Sequence, residues 1–319
     1  MREALAIAEE LGLTELVPGA LVNIGSARAN SGDDGGIADL ERAIEVAKAT
    51  NNPALGRAYN NRAAMESNLG RAHEWQLLAK EAADRLGNGP VGAFVEGQLL
   101  MSEFDLGHWD EFLRGSERYL AACEAGAPSY NEHFVRDRLA EILVARDEPE
   151  AAAPEVARGL ALAREIKEPQ ALQPALAAHI RTDVALGRLE SASELARELL
   201  ALLERGVTTF GLIQLALEAD LLDLRDDLVR VLPKLPERSS VRIAAAILEG
   251  DLVRAADIQA DEGWLAAEAT LRLRAARELV AEDRRAEADV QLQQALAFYR
   301  SVGATRFIRE GEALLAAAA

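Results

Sequence analysis

Cys123 is the single cysteine among 319 residues. A lone thiol excludes an internal disulfide framework and suits a reducing, cytoplasmic setting; its place on an apolar helical face makes it packing rather than a nucleophile. Lysine is almost as sparse, with only Lys48, Lys80, Lys167 and Lys234, and aromatics are 4% of the chain. No segment pairs alternating β-branched residues across an Asn-Gly or Asp-Gly turn, so sheet structure is not expected. No apolar run is long enough to span a bilayer. Met1 is followed at once by acids (Glu3, Glu9, Glu10) rather than by a basic and then apolar leader. The formal charge of -18 repels phosphate backbones and weighs against nucleic acid as a partner. The surplus is uneven: from Gly263 onward acids and arginines balance at eight each.

Catalytic and cofactor signatures are missing as well. There is no Gly-x-x-x-x-Gly-Lys-Ser/Thr loop to cradle a triphosphate and no Gly-x-Ser-x-Gly elbow. The four histidines, His73, His108, His133 and His179, lack the spacing that would aim two imidazoles at one zinc. Asp33-Asp34 lacks the alternating ligands of a calcium loop, and the glycine-rich stretches Gly32–Gly36 and Gly87–Pro90 read as turns. The expectation is a noncatalytic protein without cofactor or metal.

What is present is alanine, leucine and a rhythm. Pro18, Pro53, Pro90, Pro128 and Pro169 are 35, 37, 38 and 41 residues apart. Proline is tolerated where a helix begins, because its missing N–H would be unpaired there anyway. Between them fall turns at Ser31-Gly32-Asp33, Leu69-Gly70-Arg71, Leu106-Gly107-His108, Arg146-Asp147-Glu148 and Leu186-Gly187-Arg188, with later turns at Leu248–Asp251 and Glu282–Arg284. Each repeat thus reads as helix, turn, helix, loop. First helices are expected near 17–30, 53–69, 90–106, 128–146, 169–186, 207–223, 239–249, 263–281 and 304–316. Second helices are expected near 36–50, 72–87, 109–125, 150–166, 189–205, 226–234, 251–261 and 284–301. Thr208-Thr209 and Ser239-Ser240 suit helix caps, and Pro233 and Pro236 end a short helix in a bend. Second helices carry one inward stripe, such as Leu195, Ala196, Leu199 and Leu203. The fold class is therefore all-α, a solenoid of antiparallel helix pairs over 1–319 as one domain. Arg2–Leu11 reads as a second helix without its first, the mark of a C-terminal fragment of a larger protein.

Five residues after the turn landmarks Gly32, Gly70, Gly107, Asp147, Gly187, Gly250 and Asp283 come Ile37, Trp75, Phe112, Ala152, Ala192, Ala255 and Ala288. This pattern resembles the tetratricopeptide repeat, which places a small residue at the helix crossing, although the spacings exceed that family's usual length of about 34 residues. The family's small position seven residues before the turn is kept at Gly25, Ala63 and Ala140 and lost at Leu100 and Ile180. Its early aromatic survives as Tyr59, with Leu21, Glu96 and Arg136 elsewhere. Long units of this kind are similar to the arrays of bacterial signal-transduction ATPase regulators, and Ala297–Arg306 is similar to the end of arrays fused to an ATPase and a class III nucleotidyl cyclase. The excess of arginine over lysine suits a GC-rich bacterial genome.

The resemblance implies a right-handed superhelix whose concave groove is lined by the register nine residues before each turn, here Asn23, Asn61, Gln98 and Arg138. Neighbouring registers add Arg57, Asn60, Met101, Asp137, Glu141 and Arg181. An amide in that groove can donate to and accept from an extended peptide backbone. The implied function is a peptide-, protein- or effector-sensing scaffold in a cytoplasmic signalling or transcription regulator. The alternative is self-association through an apolar edge such as Ala313, Leu314 and Leu315.

Overall fold

The protein is described here by a computed structural model covering residues 2–316 save Gly32, Asp34 and Val207. Every regular element among the described residues is helical. The chain divides into two compact units, residues 1–102 and 103–319.

The first unit holds α1 (Arg2–Glu10), α2 (Val17–Asn30), α3 (Gly35–Ala49), α4 (Leu55–Ala63), α5 (Leu69–Arg85) and most of α6 (Gly89–Asp105). Its core is small and aliphatic: Leu21, Leu40, Ala43, Ala47, Ala58, Ala79 and Val95 are all fully buried. Backbones approach where side chains vanish. A Cβ on Gly25 would stand 2.8 Å from the Gly36 carbonyl oxygen, and one on Gly56 3.0 Å from that of Ala79. The crossing residue of the first pair is therefore Gly36 rather than the expected Ile37.

The second repeat departs from its expected frame for a local reason. The Asn68 side chain accepts from the Arg71 amide at 3.2 Å and caps α5 three residues earlier than the expected start. Gly70 consequently lies inside the helix, and α4 stops at Ala63 instead of running to 69. Of the other turn landmarks, Gly107, Asp147, Gly187, Gly250 and Asp283 all have positive φ, the left-handed conformation that closes a helix. Gly32 of the first turn and Asp34 beside it lie outside the described residues.

The second unit continues with α7 (Trp109–Glu124), α8 (Glu132–Ala145), α9 (Pro149–Ile166), α10 (Pro169–Ala185), α11 (Leu189–Leu203), α12 (Leu212–Leu217), α13 (Arg225–Val231, extended by a 3₁₀ turn), α14 (Ser239–Leu248), α15 (Leu252–Glu262), α16 (Leu265–Ala281), α17 (Arg285–Val302) and α18 (Thr305–Ala316). Pro18, Pro90 and Pro169 sit in the first turn of their helices, whereas Pro53 and Pro128 lie in the connections just ahead. Helix α12 is the main shortfall, six residues where 207–223 was expected. Gly211, at φ 77°, turns the chain against Gln173, and the flanking threonines bond neighbouring repeats instead of capping. Thr208 bonds Gln173 at 2.6 Å and Thr209 bonds Ser240 at 2.7 Å. Ser239 likewise donates to Glu262 rather than capping α14. Ala152, Ala192, Ala255 and Ala288 are fully buried, as the crossing rule requires. Cys123 is buried, and that burial pushes its thiol above the usual range.

Two features of this unit lie outside the apolar rule. First, Arg136 occupies the position where an aromatic was expected and is itself buried. It donates to Glu132 at 3.0 Å, Glu155 at 2.7 Å and Glu124 at 2.8 Å, joining α7, α8 and α9. Arg272 repeats the device at the same register of a later repeat, bonded to Glu268 (2.6 Å), Gln291 (2.8 Å) and Asp257 (3.0 Å) across α15, α16 and α17. Second, the unit's last helices return to its first turns. Arg309 grips the Asp147 carboxylate with both terminal nitrogens, Arg146 reaches the Val302 carbonyl at 3.4 Å, and Phe298 meets Trp109 edge-on at 6.0 Å. Gly107 is required there, because a Cβ would come 2.9 Å from the Phe298 ring.

Removing one partner of a buried ion cluster leaves the others uncompensated, so Arg136→Ala is expected to destabilise the second unit by about 3–5 kcal/mol. Denaturant unfolding followed by hydrogen exchange in α7–α9 checks this, and unchanged protection there would refute the clamp.

Candidate functional site

Nine residues before Asp147 and Asp283 stand Arg138 and Arg274. Asp223, at φ 56°, marks another turn of the same kind, and nine residues before it is Gln214. The structure joins these three positions by a continuous chain of side-chain contacts. Arg138 Nη2 donates to Asp105 at the end of α6 (3.2 Å) and its Nη1 to Glu141 (3.1 Å). Arg181 of α10 pairs with the same Glu141 oxygen and donates through Nε to Gln214 of α12 (2.9 Å). Gln214 Nε2 then donates to Glu218 (3.1 Å), and Arg274 of α16 bridges Glu218 and the Leu217 carbonyl (2.7 Å). Five helices are thus stitched by three arginines, three acids and one amide. Arg138 also lies over the Phe104 ring at 4.9 Å.

Burial sets the protonation of this ladder. It raises the Asp105 carboxyl to about 6, with Arg138 pulling the other way. Burial also opposes ionisation of Glu141, but Arg181 and Arg138 outweigh it and hold that carboxyl below its ordinary value. The guanidinium of Arg138 is strengthened, because Asp105 and Glu141 overcome its desolvation. Asp137 behaves differently. Both of its oxygens are buried without a partner among the described residues, one lying 2.8 Å from where a Gly159 Cβ would stand, and burial pushes it up to about 8. It is wedged between α8 and α9, where burial favours its protonated form. One turn earlier, His133 is fully buried, bonded through Nδ1 to the Tyr130 carbonyl at 2.8 Å and pushed down to about 4 by burial.

The expected groove residues therefore divide. Arg138, Glu141 and Arg181 come together in the ladder, and Asp137 lies behind it. Asn23, Arg57, Asn60, Asn61, Gln98 and Met101 belong to the first unit, all half-buried. There Arg57 donates to the Gly19 carbonyl (3.2 Å) and Asn61 to the Ser26 hydroxyl (2.8 Å), each linking a first helix to its predecessor. Asp105, Gln214, Glu218 and Arg274 were not singled out from sequence. Arg274 and Gln214 carry the same nine-residue signal, but with 207–223 read as one helix no turn landmark was set at Asp223. No three histidine, cysteine or acidic residues are grouped to hold a metal ion among the described residues.

No family model matches the chain, and no curated protein does. Among solved structures, the chain is similar to a Rap protein in complex with competence and sporulation factor, with TM-score 0.61, 12% identity and coverage of 93% of this chain and 99% of that one. Ton1535 from Thermococcus onnurineus NA1 aligns over 96% of this chain and 94% of its own at 16% identity, with a TM-score of only 0.29. The first likeness establishes a tetratricopeptide-like helical repeat fold.

An acid whose folded pKa is raised keeps its proton when the unfolded chain has already lost it, so stability falls as pH climbs from the ordinary aspartate value toward about 8 and then levels off. Asp137→Asn removes that loss. Its unfolding midpoint relative to the parent is expected to rise between about pH 5 and about pH 8; a difference independent of pH would show Asp137 to be ionised.

Proposed function

We propose that this chain is a noncatalytic interaction module of a bacterial signalling regulator, and that the ladder face of its second unit holds an extended peptide or protein segment. The ladder carries this reading. Burying Asp105, Gln214 and Glu218 and half-burying three arginines contributes little or no net stability compared with apolar packing of the same volume. A chain otherwise built from alanine and leucine has cheaper ways to join five helices. Functional sites are where such polar investment is tolerated. A fold of this kind can hold a partner, since the Rap protein was solved with competence and sporulation factor bound.

The closure from α17 and α18 onto the turns at Gly107 and Asp147 would serve as the two-state element for signalling. A ligand shifts such an equilibrium only as far as it favours one state. A segment spanning α8 to α16 would favour the arrangement in which the ladder is continuous, and the Asp147–Arg309 contact would be populated accordingly.

Hydrogen exchange of the full chain with and without a saturating mixed-sequence heptapeptide library tests this. Slowed exchange is expected in α8, α10 and α12 and at the turns around Gly107 and Asp147. Exchange unchanged throughout the second unit would refute the groove.

A further inference from the structure

Two asparagine amides tie the connections of the first unit to one another. Asn52, ahead of α4, donates through Nδ2 to the Glu15 carbonyl ahead of α2 (2.8 Å). Asn88, ahead of α6, donates in the same way to the Pro53 carbonyl ahead of α4 (3.0 Å). Each amide thus reaches back one repeat to the preceding connection. The two ties differ in the residue that follows the asparagine. Asn52 is 8% exposed, accepts from the Ala54 amide at 2.9 Å, and precedes Pro53, whose backbone nitrogen carries no hydrogen. Asn88 is half-buried and precedes Gly89, in the chain's only Asn-Gly pair. Gly89 is exposed; apart from its own helix and chain neighbours, no heavy atom lies within 4 Å of where its Cβ would stand. Its N–H donates to no partner among the described residues. Gly87, on the other side, takes φ 68° with the same open space around it. Next to the Asn88 carboxamide there is thus a backbone nitrogen with a hydrogen to lose, no side chain to shield it and no hydrogen bond to give up.

We propose that Asn88 is a site of spontaneous covalent modification, where the Gly89 nitrogen displaces ammonia from the side-chain amide and the tie to Pro53 is lost. The Gly89 nitrogen gives up its proton to solvent base and attacks Asn88 Cγ. The new N–Cγ bond closes a five-membered succinimide, and the Cγ–Nδ2 bond breaks as Nδ2 takes a proton from water and leaves as ammonia. Water then opens the ring at either carbonyl. Cleavage at Cγ gives an ordinary aspartate; cleavage at the main-chain carbon gives isoaspartate, in which the backbone runs through the side chain and is one methylene longer. Nothing is oxidised or reduced. Either product replaces the Nδ2 donor by a carboxylate, which can only accept, so it repels the Pro53 carbonyl it once bonded. Asn52 makes the equivalent tie without this reactivity, because Pro53 offers no N–H to begin the attack. One tie of the first unit is therefore permanent and the other decays with the age of the chain.

The test ages the folded full chain in neutral buffer and follows amide loss at each asparagine by peptide mass spectrometry, against an unaged sample digested alongside. Asn88 is expected to lose its amide before any other asparagine, with isoaspartate among the products, while Asn52 keeps its own. Gly89→Ala, which the open space around Gly89 accommodates, is expected to slow the loss severalfold by shielding the nitrogen. In the modified fraction, hydrogen exchange at the start of α4, around Ala54 and Leu55, is expected to quicken by about fivefold, the scale of one hydrogen bond. Retention of the Asn88 amide for as long as that of Asn52, earlier loss at another asparagine, or loss at an unchanged rate without isoaspartate in Gly89→Ala overturns the succinimide route. Exchange at the start of α4 that is equal in modified and unmodified chains overturns the loss of the tie.

Discussion

Each helix pair in this chain has an apolar face that only the next pair can cover, and the two backbones must come close enough to do it. Small residues at the crossings make that approach possible: Gly25 against Gly36, Gly56 against Ala79, and the buried alanines at 152, 192, 255 and 288. Everything else is placed by that constraint. First helices stand next to first helices within each unit, and equivalent registers on them form rows. A polar residue in such a row meets another polar residue one repeat away. Contacts separated by about one repeat length recur accordingly, from Asn61 to Ser26 and from Arg138 to Asp105.

The rows explain why the ladder can exist without catalytic motifs. Arg138, Glu141, Arg181, Gln214, Glu218 and Arg274 come from segments far apart in sequence, and no short motif contains more than two of them. Their chemistry lies in alternation: each arginine touches at least one acid of another helix. The buried clamps of Arg136 and Arg272 use the same logic for another end. Their three partners lie on three helices, and they fix the order in which those helices stack. This array, with few aromatics, places Arg136 where the tetratricopeptide pattern expects a ring.

Much of this was legible in the chain itself. Proline and glycine spacing placed the helix pairs, and the left-handed turns at Gly107, Asp147, Gly187, Gly250 and Asp283 fall where the pattern put them. Local capping chemistry accounts for the failures. Asn68 moved the start of α5 and took Gly70 into a helix, and Gly211 with its two threonines shortened α12. For the ladder, the tetratricopeptide resemblance pointed to Arg138 through its turn register, and neighbouring registers added Glu141 and Arg181. Glu218 and Asp105 were invisible, because an acid in an acid-rich chain carries no signal until a guanidinium is placed beside it. Asp137 was misplaced for the reverse reason: one residue from Arg138 in sequence, it points a full 100° away around a helix of 3.6 residues per turn, toward Gly159.

The central claim is that the ladder is maintained for binding rather than for stability. Replacing Asp105, Arg138, Glu141, Arg181, Gln214, Glu218 and Arg274 together by methionine or leucine of similar volume, then measuring denaturant midpoint and retention of the heptapeptide library side by side, separates the two. The account predicts a midpoint equal to or above the parent's with retention lost. A collapsed midpoint, in a chain whose parent retains no peptide, would contradict it and make the ladder a structural brace.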